Sequence, residues 1–244
     1  IQHNMATHGS VFFAHQQIAG KGQHGKTWVS EANQNLIMSA IIDPNPLILG
    51  QQFRLSVAVA LACYDFFSRY AGEETSIKWP NDLILKNKKI CGMLFEKNKN
   101  YFVVGIGINI LQENFKNLPK AGSILSQTGL SFELKAFTES LHQYLFEHLV
   151  QKEIPNNILE LYHLHLYRKN EVSVFEKNEV RQNGIIQNVD ENGYIWIDLE
   201  NEGLQKYLKK INTVKPDSVT AMQNDEKVLL QFLKQTKVAT KAKK

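Results

Sequence analysis

Apolar positions along this chain change period twice. Between residues 10 and 110, short apolar runs bounded by Gly, Pro, Asn or Asp alternate with one long helical pattern. The runs at 10–17, 35–42, 75–79, 82–86, 89–96 and 101–110 read as strands. Residues 51–70 repeat their apolar side chains every three or four positions, which predicts a long amphipathic helix. Two further helices are expected at 133–151 and 155–167, with Pro155 in a first-turn position. Strands that come as hairpins, with helices before and after, predict an α+β fold with a mixed β-sheet and helices on one side. From about 170 to 212 the period drops to two. Short strands at 172–175, 184–189 and 194–199, with a turn over Asp190-Glu191-Asn192-Gly193, predict a small SH3-like β-barrel. Beyond Thr213 the pattern fades, apart from one possible helix at 224–235. No internal repeat is found.

At 244 residues the chain suits one larger and one smaller unit. The expected division is a catalytic domain over 1–168, an SH3-like domain over 169–212 and a basic tail over 213–244. The net charge of +4 owes much to that tail, which carries Lys234, Lys237, Lys241, Lys243 and Lys244. It lacks the interleaved aromatic residues that stack on bases, so a solvated tail is favoured over a nucleic-acid arm. Cys63 and Cys91 are far apart in sequence and read as small core residues. A reduced, cytoplasmic setting fits them. No apolar run reaches the ~18 residues of a membrane-spanning helix, and no signal-peptide pattern opens the chain.

Two stretches carry chemistry. In the first, Lys78-Trp79-Pro80-Asn81-Asp82 leads into an apolar run, a turn near Asn87 and a second run containing Lys89, Ile90, Cys91 and Gly92. With Asn87-Lys88 as a two-residue turn, Lys86 pairs with Lys89 and Leu83 with Gly92. Asp82 and Lys89 then share one face, roughly 13 Å apart along it at about 3.3 Å per residue. A carboxylate and an ammonium on one wall, with Gly92 leaving room, suit an anionic substrate. The second stretch runs from Gly20 to Trp28 through Lys21, Gly22, Gln23, His24, Gly25, Lys26 and Thr27. It fits the phosphate-binding pattern G-x-x-x-x-G-K-[ST]. That pattern needs a helix beginning at the Lys-Thr step, and residues 28–35 have no helical period. A Gly-rich loop with Lys21, His24 and Lys26 can still fold over phosphates through backbone N–H groups and cations.

Together with Lys89-Ile90-Cys91-Gly92 and Gly105-Ile106-Gly107-Ile108-Asn109, these stretches resemble the biotin protein ligases in order and spacing, over roughly residues 6–212. The resemblance implies a class II synthetase-like fold of the biotin/lipoate ligase type, followed by an SH3-like domain. It also implies an ATP- and Mg²⁺-dependent enzyme, a biotin–[biotin carboxyl carrier protein] ligase. Such an enzyme makes biotinyl-5′-AMP and passes biotin to one lysine of a carrier protein. Lys89 then bridges biotin's carboxylate and the α-phosphate, and Asp82 helps the incoming lysine lose its proton. Gln17, Gly20, Lys21, Gly22, Lys89, Gly92 and Gly105 are the implied biotin-binding residues, Gln17 through its amide on the ureido ring. Gln23, His24, Gly25, Lys26, Trp28, Asn81 and Asn109 are the implied ATP and adenylate residues, Trp28 covering the adenylate and Asn109 reading adenine. No protein ligand for the metal is assigned, since Mg²⁺ travels with ATP.

The chain departs from the family pattern in three ways. Gln23 and His24 stand where many relatives have Arg, leaving Lys21 and Lys26 as the loop's cations. The Ser/Thr-Thr-Asn segment that lines the biotin pocket would fall before Ile1, so the N-terminal part of the catalytic domain is expected to be missing. The helix-turn-helix of the bifunctional repressors is also absent, so DNA is not an expected partner, and without a spanning apolar run neither is a membrane. A monomer or a homodimer is compatible with the sequence. The alternatives are a lipoate or octanoate ligase or transferase on the same scaffold, or a catalytically impaired biotin-binding module.

Overall fold

A computed structural model of the chain describes residues 6–43, 52–98, 100–116, 118–149, 154–177 and 180–208. The expected tail helix at 224–235 lies outside them. The chain divides into two compact units, the first ending at Tyr167 and the second beginning at Arg168.

The first unit is built on a six-stranded sheet. Its strands are β1 (Val11–Ala14), β2 (Asn35–Ile42), β3 (Thr75–Lys78), β4 (Asp82–Leu85), β5 (Lys88–Asn98) and β6 (Tyr101–Asn109), in the order β1-β2-β6-β5-β4-β3. Every ladder in it is antiparallel; β3 to β6 follow one another as a meander, and β2 reaches β6 across the intervening elements. The mixed pairing expected from sequence is confined in this unit to two isolated parallel bridges, Ile77 with Leu166 and Lys89 with Ala121. β1 ends at Ala14, so Gln17 lies past the strand expected to contain it.

Alternation along β6 sets the two faces of the sheet. Phe102, Val104, Ile106 and Ile108 are buried, while Val103, Gly105 and Gly107 point to the more open face. The helix α1 (Gln52–Ala71) is buried without a break from Leu55 to Cys63. It contacts β3, β4, α3 (Leu134–Leu149) and α4 (Ile158–Leu164). Contact on several sides buries the middle of the expected amphipathic helix all round, and its polar side shows at the ends, where Gln52, Asp65 and Arg69 are exposed. α3 keeps a single stripe of Phe137, Leu141, Leu145 and Leu149. Its first turn is capped by the exposed Glu133 carboxylate, which accepts from the backbone N–H groups of Lys135 and Ala136. α4 is shorter than expected and starts three residues after Pro155, whose carbonyl accepts from Ile158 N. A short helix that the sequence reading missed, α2 (Ile124–Thr128), begins with a Ser123/Ser126 capping box and ends at Gly129, φ 76°.

The second unit is an antiparallel meander of β7 (Val172–Lys177), β8 (Val180–Val189), β9 (Tyr194–Leu199) and β10 (Gly203–Leu208). No ladder joins β7 to β10 among the described residues. The Asp190 carboxylate builds the expected turn: Oδ1 accepts from Asn192 N and Tyr194 N, Oδ2 accepts from Trp196 Nε1, and Gly193 takes φ 82°. Burial inside this sheet pushes the Tyr207 hydroxyl up to about 12.

Candidate active site

The β4–β5 hairpin turns at Lys86-Asn87, with φ 48° and 63°, not at Asn87-Lys88. Two consecutive left-handed residues give the turn whose twist suits an antiparallel pair. Leu85 therefore pairs with Lys88 and Ile84 with Lys89, while Asp82 faces Gly92. The register slips between Leu83 and Ile84, which leaves Ile90 as an extra residue on β5. β6 ends opposite Cys91, and residues 120–122 take over the strand edge beyond it. Lys89 N donates to Lys120 O (2.7 Å), and Gly122 N donates to Lys89 O (3.0 Å).

The bulge and the shifted turn correct the expected separation of Asp82 and Lys89. Lys89 lies opposite a position two residues from Asp82, about 6.6 Å along the strand. Its side chain closes that gap, and Lys89 Nζ sits 2.8 Å from Asp82 Oδ2. Both side chains remain partly accessible, at 37% and 21%.

Beside this pair the open face of the sheet is bare. Gly92 and Gly107 face each other across β5 and β6. The Trp28 indole lies on both. A Cβ on Gly107 would meet Trp28 Cε2 at 2.7 Å, and one on Gly92 would meet Cζ3 at 3.0 Å. Lys89 Nζ stands 5.7 Å from the indole centroid, within cation–π range. Gly107, expected together with Gly105 to let backbone lie close to a ligand, is thus more central than Gly105, where a Cβ would make only ordinary contact with Leu94 at 3.7 Å. The signal that could have singled it out is strand register: Gly107 faces Gly92.

The Gly-rich loop folds back on itself. Trp28 N donates to Gly20 O (2.9 Å), Gly22 N to Lys26 O (2.6 Å), and Lys21 bridges Thr27. The close approach requires glycine at position 20, where a Cβ would lie 2.3 Å from Trp28 O and 2.8 Å from Gln17 Oε1. That contact brings Gln17 to the loop. A single 3₁₀ turn spans Gln23–Gly25, and no helix follows Lys26-Thr27, so the P-loop reading fails. Lys26 is exposed as a residue, yet crowding around its ammonium holds its pKa below the ordinary lysine value. Lys89 and Lys78 add to the lowering and Asp82 opposes it.

Asn81 and Asn109 are both buried. Asn81 Nδ2 donates to Met93 O and its carbonyl accepts from Met93 N, so its bonds run into β5. Asn109 Nδ2 donates one of its two hydrogens to Gly122 O (2.9 Å), and the amide's acceptor is Oδ1. That oxygen is buried without a partner, as are Gln23 Oε1 and Trp28 Nε1. Beneath the site the two cysteines, distant in sequence, interact: burial and the hydrogen bond between the Cys91 thiol and Cys63 push the Cys91 thiol up. Among the described residues no group of three or more His, Cys, Asp or Glu could hold a metal ion.

The model of the Biotin/lipoate A/B protein ligase family matches residues 1–112. A biotin–[acetyl-CoA-carboxylase] ligase of Mycobacterium tuberculosis is 32% identical over 120 residues, 48% of this chain and 45% of that protein. The bifunctional ligase/repressor BirA of Bacillus subtilis is 32% identical over 118 residues, 46% of this chain and 36% of that protein. The matched segment thus spans less than half the length of these curated relatives. Among solved structures, the biotin protein ligase from Aquifex aeolicus in complex with biotin and ATP superposes with a TM-score of 0.71. It is 24% identical, and the match covers 84% of this chain and 88% of that one. This likeness shows the fold, the mixed α/β catalytic architecture of biotin ligases.

Proposed function

We propose that the chain is an ATP-dependent biotin–[biotin carboxyl carrier protein] ligase. The observation that carries the reading is the Lys89–Asp82 pair set beside a two-glycine floor and strapped by the Gly-rich loop. The relatives named above are ligases of this kind, which supports the assignment.

The first step brings two anions together. A carboxylate oxygen of biotin attacks the α-phosphorus of ATP, the new P–O bond forms, and the bond to pyrophosphate breaks. Lys89 offers three N–H donors on a compact charge. It can keep Asp82 on one donor while the others hold the acid and the α-phosphate, cancelling their repulsion. Without that cation the Asp82 carboxylate would add a third negative charge. In the second step a carrier lysine attacks the acyl carbon, an amide forms and AMP leaves with the carboxyl oxygen it had gained. Asp82, already an acceptor on this wall, orients the incoming ammonium and takes its proton.

Lys21 and Lys26 supply the loop's positive charge toward the phosphates, in place of the Arg common in the family. Gln17, Gly20, Gly22, Gly92 and Gly105 shape the biotin side. Gln23, His24, Gly25, Trp28, Asn81 and Asn109 shape the adenylate side. Mg²⁺ fits this site only as a companion of the nucleotide phosphates, given the acidic residues described. The meander that begins at residue 172 is read as an SH3-like domain, and the setting as cytoplasmic. Among the described residues no helix is long and apolar enough to cross a membrane. The test is to incubate the protein with biotin, Mg-ATP and an apo carrier domain. Labelled carrier is expected; labelling by lipoate or octanoate instead would assign the scaffold to a different acid.

A further inference from the structure

The floor made by Gly92 and Gly107 has room for one fused ring system. Facing Cα atoms of an antiparallel pair stand about 5 Å apart. The Trp28 indole spans both glycines so closely that neither could carry even a methyl group without a shift. A second ring cannot lie on the same floor while the indole is there. Biotin and adenine are both fused bicycles of that size.

The indole is also held lightly. Its ring nitrogen, buried on the floor, donates to nothing, and returning it to water would restore a lost hydrogen bond. Its polar tie to the site is the Lys89 ammonium at 5.7 Å. Lys89 is the same cation that the reaction requires for its anions. The loop that carries Trp28 closes through a few backbone bonds near Gly20, Gly22 and Lys26, and such short, exposed bonding opens at small cost.

We propose that Trp28 is a competitive occupant of the ring-binding floor: its indole holds the place that a substrate ring takes, and anions arriving at Lys89 release it. The inference rests on the function proposed above and adds a gate to that site. Trp28 leaves the floor first and covers the bound ring only afterwards. The gate links the two ligands, because whichever brings negative charge to Lys89 loosens the indole and clears the floor for the ring.

The test is fluorine NMR of protein labelled with 5-fluorotryptophan, with the Trp28 signal assigned by its loss in Trp28→Phe. In the free protein that signal should be buried, with a small H₂O/D₂O isotope shift. Titration with biotin alone, and then with ATP alone, should move it toward solvent. In calorimetry with biotin alone, where no adenine is present for Trp28 to cover, Trp28→Ala should bind at least about threefold more tightly than wild type, since no occupant has to leave. Weaker binding by Trp28→Ala, with wild type binding normally, overturns the gate and leaves the ligase reading intact. A solvent-exposed signal in the free protein also overturns it. If neither protein binds biotin or ATP, the proposed function falls and the gate falls with it.

Discussion

Replacing Lys89 by Met separates catalysis from stability in a way that the geometry makes quantitative. Met keeps an apolar stem of similar length and removes only the charge. The Lys89–Asp82 pair is 2.8 Å long, a gross attraction of about 1.5 kcal/mol in water and about 6 kcal/mol at an effective dielectric of 20. Both side chains stay partly solvated, so desolvation and screening leave a net contribution of about 1 kcal/mol or less. The cation–π contact with Trp28 adds at most about 1 kcal/mol. The variant should therefore lose no more than about 2 kcal/mol of stability, or under about 8 °C in Tm for a chain of this size. Adenylate formation should fall far more, by about a hundredfold to a thousandfold, as when one preorganised charge donor is removed from a reacting anion. Thermal unfolding by circular dichroism and biotin-dependent ATP–pyrophosphate exchange read the two effects. Exchange within tenfold of wild type would refute the role of Lys89. A collapse of Tm with proportionate loss of activity would make the pair a structural element instead.

Three further outcomes follow from particular contacts. Asn81→Ala removes the donor to Met93 O inside a buried hairpin, and leaving that carbonyl unpaired should cost about 1–3 kcal/mol in urea unfolding; a neutral result would show that this bond does not hold the hairpin. Gly184→Ala would put a Cβ 2.8 Å from both Leu199 Cδ2 and Phe175 Cδ2, so the second unit should lose about 1–3 kcal/mol by overpacking, measured as earlier exchange of its backbone amides. Lys26 has a pKa below the ordinary lysine value, chiefly through burial, so its charged form is disfavoured on folding and the penalty is present at neutral pH. Lys26→Met should raise Tm at pH 7, with the gain shrinking as pH rises through the depressed pKa toward 10.5; a gain independent of pH would show that packing, not charge, is responsible.

Period and punctuation made most of the sheet legible. The alternation of β6 and the hydrophobic run of β2 need only side-chain sorting to place them, and both strands stand within one residue of expectation. The site was less legible, because it depends on register. Lys86 and Asn87 are an unusual pair to share left-handed geometry, so the turn was placed one residue late. That single slip hid the facing of Asp82 with Gly92, and the bulge at Ile90 hid how near Lys89 comes to Asp82. α2 was missed because five residues are too few to show a period; only the Ser123-x-x-Ser126 box and Gly129 announced it. The contact of Cys63 with Cys91 rests on how α1 packs against β5, which no local pattern encodes.

ATP–pyrophosphate exchange with each acid in turn tests the central claim most directly, because it isolates the meeting of two anions at Lys89 from everything the carrier contributes. The account predicts exchange that requires biotin, is not supported by lipoate or octanoate, and disappears in Lys89→Met. Exchange that proceeds without biotin, or equally well with a lipoyl acid, would contradict it.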